Sequence, residues 1–213
     1  MSDELAGSYL DVIGGENEWF GVAGCWTVVQ PGGPDAVDID RVVRRLGGDP
    51  AGLVTRAPSR AWEVETGGDE LVFLVQTGPA VSMIEVGGHQ GTRDVVLSRL
   101  SEAATVHSAC WNVLGKRYLA YAAHGEVVTY LHSHFPDRLT GADPAALDED
   151  LRNLLTLGEV IRNGASDDLA DGDDWLAEML AVIDRRTGVR LSPDQLDEQH
   201  PSIVLRPLPD EGR

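Results

Sequence analysis

The chain has 213 residues, 42% of them apolar, which is enough for one domain of ordinary size with a real core. Its 35 acidic residues outweigh 17 lysines and arginines, for a formal charge of -18. A surface so charged repels nucleic-acid phosphates and anionic lipid, so direct nucleic-acid binding and membrane binding are both excluded from the expectations.

The first 19 residues set Tyr9, Leu10, Val12, Ile13 and Trp19 among acids and Gly14-Gly15, a pattern that predicts docking on the body of the protein. Phe20–Gln30 reads as a buried strand containing Cys25-Trp26-Thr27-Val28-Val29, stopped by Pro31-Gly32-Gly33-Pro34. A helix follows over 35–46. Ile39, Val42, Val43 and Leu46 fall at i, i+3, i+4 and i+7, acids occupy its first turn, arginines its last, and Gly47-Gly48 ends it. Ala61–Glu65, Leu71–Gln76 and Val81–Val86 read as strands separated by glycine-containing turns. Gly87-Gly88-His89-Gln90-Gly91 then leads to a second helix over 92–101, with Thr92 as its expected cap.

Thr105 to His132 is the best-patterned stretch: Thr105–Val113, Arg117–Ala123 and Glu126–His132 form a meander of three strands joined by short turns. On the first of these, His107, Ala109, Trp111 and Val113 share one face, and Val106, Ser108, Cys110 and Asn112 share the other. Neither face is cleanly polar. The sheet is therefore covered on both sides, or covered on one and engaged with a partner on the other.

Beyond Pro136 the pattern turns helical. Asp143-Pro144 opens a stripe of Leu147, Leu151, Leu154 and Leu155; Trp175, Met179, Val182 and Ile183 make another, ended by Thr187-Gly188; Ser192-Pro193 opens a short helix through Leu196. Pro201, Pro207 and Pro209 predict an extended strap. Cys25 and Cys110 each sit in an apolar run before a tryptophan, with no paired spacing, so both are expected to be buried, reduced thiols in a cytoplasmic protein. The acidic start Ser2-Asp3-Glu4 is unlike a secretory signal, and no long apolar span occurs.

Several of these runs occur together in an uncharacterised family of actinobacterial proteins known only as a domain of unknown function, and the chain resembles it. They are Cys25-Trp26-Thr27-Val28-Val29, the helix end Val42-Val43-Arg44-Arg45-Leu46-Gly47-Gly48-Asp49-Pro50, Leu97-Ser98-Arg99-Leu100-Ser101, Cys110-Trp111-Asn112-Val113 and Arg186-Thr187-Gly188-Val189-Arg190-Leu191-Ser192-Pro193. The resemblance implies a shared fold and carries no catalytic residues.

Four constellations bear on chemistry. His132 and His134, two apart near a strand end, could offer two nitrogens to zinc or iron, with His107, His124 or Asp137 completing a site if the fold allows. Asp167, Asp171, Gly172 and Glu178 fall at positions 1, 5, 6 and 12 of a calcium loop, but Leu169 removes an oxygen at position 3; an acidic loop with Asp173 or Asp174 capping a helix near Trp175 explains the same residues. The Gly87–Gly91 turn could present N–H groups to an anion, although it lacks the spacing of phosphate-binding motifs. No Gly-x-Ser-x-Gly elbow occurs, and the mid-strand cysteines sit where a thiolate is disfavoured.

The expected architecture is α+β: a mainly antiparallel mixed sheet of six or seven strands with two packed helices over residues 1–136, followed by an acidic helical portion over 137–213. Absent catalytic motifs, the leading expectation is a non-enzymatic interaction protein, an acidic immunity-type or regulatory inhibitor of a basic partner such as a toxin or nuclease. Asp167, Asp168, Asp171, Asp173, Asp174, Trp175 and Glu178 are its expected contact residues, and no cofactor is called for. The alternatives are a metal-dependent enzyme using His132 and His134, and a small-molecule sensor.

Overall fold

The computed structural model describes residues 2–33, 36–162 and 170–209. Helices α1 (Ser2–Ile13) and α2 (Glu18–Val22) precede strand β1 (Gly24–Pro31) and helix α3 (Ile39–Arg45). Strands β2 (Val54–Arg56), β3 (Glu70–Thr77) and β4 (Ala80–Val86) lead to α4 (Asp94–Leu100) and the meander β5 (Ala104–Trp111), β6 (Arg117–Ala123) and β7 (Glu126–His132). After them come α5 (Asp148–Arg162), α6 (Ala170–Thr187), α7 (Pro193–Asp197) and β8 (His200–Leu205).

These strands form one eight-stranded sheet in the order β2-β8-β3-β4-β1-β5-β6-β7. Among the described residues every neighbouring pair is antiparallel, so the fold is the α+β one expected, with its sheet antiparallel throughout instead of mixed.

The apolar character of both strand faces has a direct cause, because helices cover both. Trp26, Val28, Phe73, Ile84, Ala109, Trp111, Leu119 and Leu131 meet α1, α2, α5 and α6 in one core. Val29, Val72, Leu74, Val81, Met83, Val106 and Ala120 meet α3 and α4 in the other. The first core is the larger, and α6 fills it with Trp175, Leu176, Met179, Leu180, Val182 and Ile183, all buried. Each such large side chain contributes roughly 1.5–3 kcal/mol on leaving water.

The C-terminal portion is built into this body. Where an extended strap was expected, β8 lies between β2 and β3. Pro201 is tolerated there because the ladder to β3 begins at Ser202, so its missing N–H costs no bond on that side. Two local expectations also change. Ala61–Glu65 alternates like a strand, yet Pro58 starts a 3-10 turn over Pro58–Glu63, the position where proline favours helical geometry. Phe20 belongs to α2 rather than to the strand, which begins at Gly24.

Candidate functional site

The helical layer carries the acidic surface. α6 packs against both α1 and α5. Their exposed residues include Glu4 and Asp11 of α1, Asp148, Glu149 and Glu159 of α5, and Asp173 and Asp174 of α6. Three of the arginines nearby are already engaged: Arg185 donates to Glu178 at 2.6 Å, Arg186 lies 2.7 Å from Asp150, and Arg190 lies 2.9 Å from Asp184. Arg152 of α5 stands exposed among Asp148, Glu149 and Glu159, and Arg117 feels the charge of Asp173. The three engaged arginines thus do not neutralise the exposed carboxylates, and Arg152 and Arg117 are the cations that stand near them. Between the three helices runs a groove of about 380 Å³ lined by Ala6, Gly7, Leu10, Leu157 and Ala177, with Asp174 on its wall.

The expected contact residues divide. Asp167 and Asp168 lie outside the described residues, and of Asp171 only the backbone, within α6, is described. Asp173 and Asp174 face solvent. Trp175 is 2% exposed and its indole N–H donates to the Leu154 carbonyl at 3.1 Å, so it anchors α6 on α5. Glu178 is also buried and receives Arg185 and the Asn153 amide, the latter at 3.3 Å. A calcium loop is not formed, because α6 is helical from Ala170 and already includes the positions of Asp171, Gly172 and Glu178. For the same reason Asp173 and Asp174 lie inside the helix instead of capping it; carboxylates near a helix N-terminus are favourable against its dipole.

A second feature crosses the middle of the sheet on the face under α3 and α4. The strand registers align Glu85, Cys25, Cys110, Tyr118 and His132 in one row over β4, β1, β5, β6 and β7. Cys25 and Cys110 are joined as a disulfide, not present as the free thiols expected. The register of β1 against β5 brings them together, so a spacing of 85 residues gives no hint of it. The Thr27 and Ser108 hydroxyls hydrogen-bond each other at 2.7 Å beside the sulfurs.

Gly87–Gly91 does present N–H groups to an anion, and the anion is the chain's own Glu85 carboxylate. Gln90 and Gly91 donate to its two oxygens at 2.8 and 3.1 Å. Burial nonetheless pushes the Glu85 carboxyl up to about 7; these two N–H groups oppose the rise and the nearby Glu70 adds to it. Gly91 lies so close to the sheet that a Cβ there would collide with Ser108, Thr27 and Cys25, the last at 2.7 Å. Gly91→Ala is expected to cost about 1–3 kcal/mol through this overpacking, read as a lower urea midpoint at unchanged m-value.

The row ends at the histidine pair. His132 and His134 have ring centroids 5.2 Å apart, but His132 Nδ1 accepts the His134 backbone N–H at 3.0 Å, which occupies one of the nitrogens a metal would need. Partial burial lowers the His132 pKa, with His134 and Lys116 adding to the effect. Among the described residues no group of three His, Cys, Asp or Glu side chains converges to hold a metal ion. His107 stays on the opposite face, stacked on Tyr121 at 4.7 Å, and burial drives its pKa down to about 4, helped by Arg186.

Glu85 is the site residue that sequence reasoning missed; its signal is a lone acid at the end of the apolar run Ala80–Val86, directly before two glycines. No helix among the described residues is long and apolar enough to cross a membrane. Neither a curated protein nor a solved structure matches the chain. A family model does match, over residues 16–205, which takes in all eight strands and the helices from α2 onward. On that match the chain belongs to a family of unknown function, DUF6461.

Proposed function

We propose that this chain is a protein-interaction module, most concretely an inhibitor that neutralises or regulates a basic partner protein such as a toxin or nuclease, and that it performs no reaction itself. The observation that carries this reading is the helical layer, where exposed carboxylates on α1, α5 and α6 stand beside arginines already bonded to Glu178, Asp150 and Asp184. A surface of one sign steers an oppositely charged partner into register and speeds association. The groove between the helices supports it with apolar area flanked by Asp174, suited to the aliphatic stem and charged head of a lysine or arginine. A cytoplasmic setting goes with the acidic interaction surface, while the Cys25–Cys110 disulfide is of a kind commoner in oxidising compartments and would rely on the burial of both sulfurs to resist cellular thiols.

The test is capture of a partner by the wild-type chain and by a variant carrying Asp148→Lys, Glu149→Lys, Asp173→Lys and Asp174→Lys. A basic protein retained by the first, lost by the second and rebinding the wild-type chain once purified is the expected result. Equal retention by both would remove the helical layer from the account.

A further inference from the structure

A positively charged site lies on the other side of the sheet from the acidic helical layer. α3 carries Arg41, Arg44 and Arg45 at i, i+3 and i+4, which places them on one side of the helix. α4 packs against α3 and contributes Arg99. Together with Asp38 and Glu102 these four arginines line an open cavity of about 660 Å³. Its volume falls within the usual range for small-molecule sites.

Of the local acids, Asp38 and Asp40 are engaged on α3, and the Glu102 carboxylate stays at the cavity wall beside Arg45. Asp38 caps α3 by accepting the Arg41 backbone N–H at 2.7 Å. Asp40 and Arg44 form an exposed pair at 3.4 Å, a contact of little strength. Arg45 is held in place by donating to the Leu100 carbonyl at 2.8 Å and to the Glu102 carbonyl. Its pKa is lowered by partial burial and by the charge of Arg41, against an opposing contribution from Glu102. Among the described residues no side-chain partner engages the guanidinium of Arg41 or Arg99.

We propose that this cavity binds a compact, multiply charged phosphate: a small molecule bearing a phosphate or pyrophosphate group. Guanidinium groups meet phosphate oxygens two at a time, and several around one concavity match a ligand with several oxygens. The size of the ligand follows from the charge of the whole molecule. Screening confines the repulsion from distant carboxylates to about 8 Å at physiological ionic strength, so a small anion responds mainly to the arginines around it. A nucleic-acid strand would also cover the acidic surface beyond the cavity and be repelled.

Calorimetric titration of the whole chain with pyrophosphate tests this, with potassium chloride at matched ionic strength as the blank and a sugar bisphosphate as a second ligand. The expected result is binding at one site, weakened at least about tenfold in Arg41→Gln/Arg99→Gln while the ligand-free melting temperature holds. Both side chains are exposed. Should that double variant melt early, Arg44→Gln, equally exposed, must show the same direction of loss. Binding of the sugar bisphosphate as well would identify an organic phosphate as the ligand, and pyrophosphate alone the inorganic ion. Absence of heat above the salt blank, or affinity unchanged by the substitutions, overturns the site. Neither result touches the helical layer, so the two assignments fail independently.

Discussion

Replacing Cys25 and Cys110 together by alanine is expected to lower stability by about 4 kcal/mol. Their link spans 85 residues, and in the chain-entropy account closing a loop of that length removes more than 4 kcal/mol of freedom from the unfolded chain. The two cysteines face each other on β1 and β5 at the centre of the sheet. Urea unfolding with and without reductant checks it: the wild-type protein under reductant should approach the double variant, and the double variant should not respond. Thiol titration in denaturant should find no free thiol before reduction and both after. Two free thiols in the untreated protein would contradict the disulfide.

The pH dependence of stability should be nearly flat between 4.5 and 6.5 for two buried groups that oppose each other, and single substitutions should expose each slope. Glu85 has its pKa raised from 4.5 to about 7 in the fold. As pH rises through that interval the unfolded chain releases the proton while the folded chain keeps it, so stability falls, by about 3 kcal/mol in all, and is level above pH 7. His107 is lowered from 6.5 to about 4. As pH falls through that interval the unfolded chain takes up a proton that the fold refuses, so stability falls on acidification by a similar amount.

Glu85→Gln leaves the histidine slope, with stability rising from pH 4 to 6.5. His107→Phe, which keeps the stack on Tyr121, leaves the carboxyl slope, with stability falling from pH 4.5 to 7. Unfolding free energies at each pH, taken as variant minus wild type, cancel the surface carboxylates common to both. A difference curve without slope for Glu85→Gln would mean that this carboxyl ionises normally in the fold.

The sequence was most legible where one residue pattern had one structural meaning. The alternation in Thr105–His132 predicts three antiparallel strands, and β5, β6 and β7 follow it closely. The stripe Trp175, Met179, Val182 and Ile183 predicts a helix face that the core now covers. It was least legible where partners far apart decide the outcome. Nothing local to His200–Leu205 shows that β2 and β3 leave a gap for it, and proline made it read as a strap. Cys25 and Cys110 pair through strand register alone. Of the expected contact residues, Trp175 and Glu178 lie at positions that helical periodicity turns inward, while Asp173 and Asp174 turn outward. The arginines of α3 read as helix-end charges from sequence, because Arg99 joins them only through the packing of α3 on α4.

The most direct measurement of the account is the affinity of a purified basic partner for three forms of the chain, each titrated at low and physiological ionic strength. The account predicts salt-sensitive binding by the wild-type chain, loss of binding when Asp148, Glu149, Asp173 and Asp174 are reversed, and full retention in Arg41→Gln/Arg99→Gln. Binding that survives reversal of the four acids, or that disappears with the two arginines, would contradict it.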